Sequence, residues 1–153
     1  MTEIRFYHLQ RKSLEQALPQ LLEKCVERGW RAVTMASSEE RAEALTQHLW
    51  TYDDRGFLPH GNARDGAAED QPIWLTASDE NPNGATVLFL VDGAVSARVG
   101  DFDLVCEVFD GNDPDAIAAA RARWQAYRDT GHKLAYWQQS EAGAWEQKQT
   151  AGG

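Results

Sequence analysis

Short runs of β-branched and aromatic residues alternate along the chain with longer segments whose apolar residues recur every three or four positions. Residues 4–9 form a first strand-like run. From Ser13 to Arg28 the apolar positions Leu14, Leu18, Leu21, Leu22 and Cys25 lie on one helical face. Ser13 and Gln16 have capping-box spacing, and Gly29 stands where a helix wants a left-handed residue. Pro19 lies inside this segment, so a kink or a later helix start is expected. Residues 31–36 predict a second strand. Ser37 with Glu40 then predicts the cap of a helix that turns Ala42, Leu45 and Leu49 inward and ends near Trp50.

Residues 52–70 are rich in turn formers and hold no sustained period, which predicts a long surface loop. Residues 72–76 and 86–91 predict strands, the second apolar on both faces as a central parallel strand would be, with a turn at Asn81-Pro82-Asn83-Gly84 between them. Phe102, Val105, Cys106 and Phe109 have helical spacing. Asp113-Pro114 supplies an N-cap and a first-turn proline for a helix running to about Thr130 and stopping at Gly131. Residues 134–138 predict a last strand, and residues 143–153 a frayed tail around Trp145. Strands alternating with helices imply one α/β domain over residues 1–148, a mostly parallel sheet with helices on both faces, followed by a disordered tail at 149–153.

Charge and composition narrow what such a domain can do. The 153 residues carry 24 Asp and Glu against 15 Lys and Arg, a formal charge of -9, so the molecule as a whole cannot wrap duplex DNA as a polycation. No apolar stretch approaches a membrane span and the N-terminus lacks a signal-peptide pattern, so a cytoplasmic protein with no membrane partner is expected. Cys25 and Cys106 lack metal or disulfide spacing and are expected as buried free thiols.

Catalytic patterns are missing. The strand-to-helix turns Gln10-Arg11-Lys12-Ser13 and Ala36-Ser37-Ser38 hold no phosphate-cradling glycines, and neither GxxxxGK[ST] nor GxGxxG occurs. His8, His48, His60 and His132 do not converge at metal-ligand spacing, which predicts no metal and no cofactor. Six acids lie between Asp101 and Asp115, but Asp113-Pro114 is needed as a helix start and the calcium-loop register is absent. With no catalytic residues assigned, a binding module is favoured over a degenerate nucleotide-binding enzyme.

The most informative segment is the last predicted helix. Ile117, Arg121, Trp124 and Arg128 fall in one narrow stripe, and residues 121–133 are locally basic in an acidic chain. Arginines flanking an indole suit a short acidic peptide with an apolar anchor and a terminal carboxylate. The same pattern would also arise if Ile117 and Trp124 packed in the core while the arginines lay along a solvated face. Trp50, Phe57, Leu58 and Pro59 form a second aromatic and apolar group, either a protein interface or a loop folding inward.

At these residues the sequence resembles the chi subunit family of bacterial DNA polymerase III. The matching pieces are FYHL at 6–9, EERAEALTQHLWTYDDRGFLPHG at 39–61, NPNGATVLFLVDG at 81–93, FDGND at 109–113 and ARARWQAYRDTGHKL at 120–134. The resemblance implies a Rossmann-like fold without a nucleotide site and a non-catalytic replisome adaptor. It implies a heterodimer with the psi subunit, a tether through psi to the clamp loader, and capture of the acidic C-terminal tail of the single-stranded DNA-binding protein, with DNA met only indirectly. Carried over by position, the tail site is Arg121, Trp124 and Arg128, with Ile117 beside them. The psi interface is Trp50 and Phe57 with Leu58 and Pro59, a surface for which a helicase could compete. Ile117 and Gln125 stand where some relatives are basic, and Arg123 points away from the Arg121 stripe.

Overall fold

A computed structural model describes residues 2–52, 58–142 and 144–151. Among the described residues eight strands form one sheet, in the spatial order β3-β4-β2-β5-β6-β1-β7-β8. They are β1 (Glu3–Leu9), β2 (Ala32–Met35), β3 (Gly61–Asn62), β4 (Ile73–Thr76), β5 (Val87–Val91), β6 (Leu104–Asp110), β7 (Lys133–Gln139) and β8 (Trp145–Ala151). All neighbouring pairs are parallel except β7 with β8. The helices are α1 (Leu14–Glu27), α2 (Glu39–Thr51) and α3 (Pro114–Asp129). None of the described helices is long and apolar enough to cross a membrane.

Strand alternation divides the core into two layers. Tyr7, Leu9, Phe89, Cys106 and Val108 point toward α1 and α2, where they meet Leu18, Leu22, Leu45 and Leu49. Ile4, Phe6, Leu88, Val105, Phe109 and Leu134 point the other way, and α3 covers that side with Ile117, Ala120, Trp124 and Tyr127. The expected α/β architecture with helices on both faces is therefore present.

Local signals placed most of the helix ends. Ser13 and Gln16 form the reciprocal capping box of α1, and Asp113 caps α3 with Pro114 in its first turn. The cap of α2 is Ser38, not Ser37: the Ser38 side chain accepts from the Arg41 amide. Pro19 neither delays nor breaks α1, which begins at Leu14 and continues past it to Glu27.

Three expectations are corrected. Residues 102–109 are not helical; β6 lies between β5 and β1, buried on both faces, so its inward residues show no alternation and their spacing imitated a helix. Residues 145–151, expected as a frayed tail that included the disordered stretch from 149, form the antiparallel edge strand β8. Its polar side chains carry no strand signal; the backbone of β7 recruits it and Trp145 packs edge-on against Tyr7 at 5.0 Å between ring centroids. The predicted loop 52–70 contains the short strand β3 and a turn of 3-10 helix at Ala68–Asp70.

Candidate functional site

β1 leads into α1 on one face while the adjacent β6 leads into α3 on the other, and this divergence opens a crevice at the carboxyl ends of the strands. In open α/β sheets such a crevice is where ligands sit. Here it has a volume of about 740 Å³ and is lined by five carboxylates, Glu15, Asp92, Asp110, Asp113 and Asp115, against three cations, Arg11, Lys12 and Arg41. Arg41 is already held by Asp92 at 2.5 Å and by Glu15. The backbone amides that a phosphate would need are also taken. Those of Gln10, Arg11 and Lys12 converge on the side-chain oxygen of Gln139 at 2.9, 3.1 and 3.2 Å. The end of β7 thus fills the nest from within, which agrees with a first turn that lacks phosphate-binding glycines.

The basic stripe lies instead on the α3 face. Its seat is a buried ion pair: Glu107 of β6 accepts from Arg123 Nε at 3.0 Å and from the Tyr127 hydroxyl at 2.8 Å. Burial pushes the Glu107 carboxyl up from its ordinary range, against the opposing pull of Arg123 and Tyr127. Arg123 therefore points into the sheet and away from the Arg121 stripe, and Ala120 lets the helix approach closely. Sequence reasoning missed this clamp, although a single acid inside the apolar run VCEVF was its signal.

Above the clamp, Trp124 is half-buried and packs edge-on to Phe6 at 5.4 Å and to Tyr136 at 6.0 Å, with Ile117 in the same layer. Ile117 and Trp124 thus pack at the edge of the core while Arg121 and Arg128 are exposed. Two residues of the sheet, which no local pattern singles out, complete the surface beside Arg121. Tyr136 of β7 has its hydroxyl 2.5 Å from His8 Nδ1 of β1, and the His8 ring also packs on Phe109 at 5.2 Å. Burial lowers the His8 pKa and the Arg121 charge adds to that, outweighing Asp110 and the Gly111 backbone. Burial raises the Tyr136 pKa, with Arg121 acting against it. Gly111 makes this arrangement possible, since a Cβ there would sit 2.0 Å from the His8 ring and 2.4 Å from the Leu9 carbonyl oxygen. The surface so built has a guanidinium, an indole, an isoleucine and a phenol side by side, suited to an acidic chain with an apolar side group.

The second expected group is dispersed in depth. Trp50, at the end of α2, is 45% exposed, with its ring 4.2 Å from that of His60. Leu58 is a core residue, 2% exposed, and Pro59 is half-buried. Phe57 lies outside the described residues. His60 is buried and bonds the Leu58 and Thr46 carbonyls at 2.6 and 3.0 Å, fixing the segment beneath Trp50. Cys25 and Cys106 are buried free thiols, and among the described residues no three His, Cys, Asp or Glu side chains gather as metal ligands.

The family model described as DNA polymerase III chi subunit, HolC, matches residues 1–135. A Rickettsia prowazekii (strain Madrid E) protein named probable DNA polymerase III subunit chi is 31% identical over 99 residues, which make up 65% of this chain. The match spans 60% of the length of that curated relative.

Proposed function

The chain belongs to the chi subunit family of DNA polymerase III, an accessory component of the replicase, and on that premise we propose that it is a non-catalytic adaptor with two protein-binding surfaces. The first, on α3, takes the acidic C-terminal tail of the single-stranded DNA-binding protein. Arg121 holds a carboxylate, Trp124 and Ile117 receive the apolar anchor, and Arg128 attracts the acids that precede it. The second, around Trp50 with Pro59 and with Leu58 as its buried support, docks the psi subunit and through it the clamp loader; a helicase could compete there. Template DNA is met only through the coating protein.

The observation that carries this proposal is the juxtaposition of exposed Arg121 with half-buried Trp124 and Tyr136, in a chain whose net charge is -9. Fluorescence anisotropy of a labelled tail peptide, titrated with wild type and Arg121→Ala, tests the first surface. Saturable binding that weakens in the variant is expected; equal binding by both would sink the assignment. Trp50→Ala is expected to abolish co-purification with psi while leaving tail binding intact.

A further inference from the structure

On the opposite face from α3, the C-terminal half of α1 and strands β1, β5, β6, β7 and β8 line a second cavity, of about 170 Å³. Its walls are aromatic, with Tyr7, Trp137 and Trp145 on the sheet side. Cys25 and Cys106 lie on its inner surface, both buried. Arg5, Lys24, Arg28 and Trp30 also line it. Arg28 is positioned over the Trp30 ring, 5.0 Å from its centre, and Trp30 is 37% exposed.

Charge on this surface runs against the molecule's own. Arg5 is paired with Glu3 at 2.5 Å, but neither Lys24 nor Arg28 forms an ion pair among the described residues. Burial pushes the Cys25 thiol up to about 11, while the positive charges of Arg28 and Arg5 oppose it. The indole nitrogen of Trp137 is buried and finds no acceptor among the described residues, so one cavity is lined by an unused donor and by two cations without ion pairs. Tryptophan and arginine together are the residues on which binding energy concentrates at protein interfaces. Trp137 and Trp145 both lie beyond residue 135, outside the segment that matches the family, so this cavity is built partly by the chain's own C-terminal hairpin.

We propose that this cavity is a second docking site, for a short acidic segment of a partner protein that inserts one aromatic or branched apolar side chain between Trp137, Trp145 and Tyr7. The size selects the anchor: a cavity of about 150 Å³ accepts one benzene ring, so a single side chain fills the space. The charge selects its neighbours, because acidic residues flanking the anchor meet Lys24 and Arg28 at the rim and gain from both. The site is independent of the α3 surface, being separated from it by the sheet.

The test uses the full chain with 15N-labelled tryptophan and a peptide blocked at both ends, acetyl-DDEFDD-amide, which offers no terminal carboxylate. Saturable shifts of the Trp137 and Trp145 indole resonances are expected. Binding should weaken by roughly tenfold for the combined Lys24→Glu and Arg28→Glu variant, and similarly when alanine replaces the peptide's phenylalanine. Arg121→Ala should leave these shifts unchanged, which separates this site from the α3 surface whether or not that one binds its tail. Shifts that never saturate, that survive the double charge reversal, or that vanish with Arg121→Ala would overturn the proposal.

Discussion

His48 Nε2 lies 2.6 Å from the carbonyl oxygen of Glu15, the carbonyl that would have bonded the amide which Pro19 does not have. A proline inside a helix strands the acceptor four residues earlier, and here the neighbouring helix supplies the missing donor. Pro19 therefore neither ends α1 nor leaves a polar gap, and the bond ties α1 to α2. It also fixes the tautomer, since Nε2 must carry the proton to donate to a carbonyl.

His48→Ala should lower stability by about 1 to 2 kcal/mol, the cost of a lost hydrogen bond and a stranded carbonyl. In a Pro19→Ala background the helix restores its own bond and the same substitution should cost clearly less. Urea unfolding of the four proteins measures the coupling; a cost for His48→Ala that is independent of residue 19 would refute the link.

Gln139→Ala removes the oxygen shared by the amides of Gln10, Arg11 and Lys12 and should destabilise by about 2 kcal/mol or more. Gln139→Glu keeps an acceptor, removes an Nε2 that has no partner among the described residues and places an anion before the N-terminus of α1, so it should cost less than the alanine. Equal losses in thermal unfolding would mean that the side-chain oxygen is not what those amides need.

Arg123→Met leaves Glu107 buried without its ion-pair partner and should cost about 3 to 5 kcal/mol near neutral pH. Burial already raises the Glu107 pKa, and losing Arg123 raises it further. The folded state then binds a proton that the unfolded state has released, so the deficit should shrink as pH falls toward 4.5. Adding Glu107→Gln should recover much of the loss. A deficit that does not change between pH 7 and 5 would contradict this account.

His8 has a folded pKa below its ordinary 6.5, so as pH falls through 6.5 the unfolded chain gains a proton that the folded chain resists, and stability declines. Arg121 contributes to that depression after burial. An NMR titration of the His8 imidazole should therefore show its pKa rising in Arg121→Ala. It should rise again in wild type when a carboxylate binds Arg121, and by linkage tail affinity should increase as pH falls below 6.5. An imidazole indifferent to both changes would show that the Arg121 charge does not act on it.

Hydrophobic periodicity and capping chemistry determined from the sequence that an α/β sheet would form, where α1 and α3 would begin, and that a stripe holding Ile117, Arg121, Trp124 and Arg128 would share one helical face. These are local properties, set by residues within a turn or two of one another. Tertiary structure decided the rest. β6 is a strand because it is buried between two neighbours, which erases its alternation, and β8 is a strand because β7 offers a free edge. The stripe divides into packed indole and exposed guanidinium because Arg123 finds Glu107 from another element, 16 residues away in the chain. His8 and Tyr136 reach the site across 128 residues, and the loop amides are closed by Gln139 across a similar span. No periodicity within a segment encodes such pairs, because each exists only once the sheet has brought distant strands to a spacing of a few ångströms.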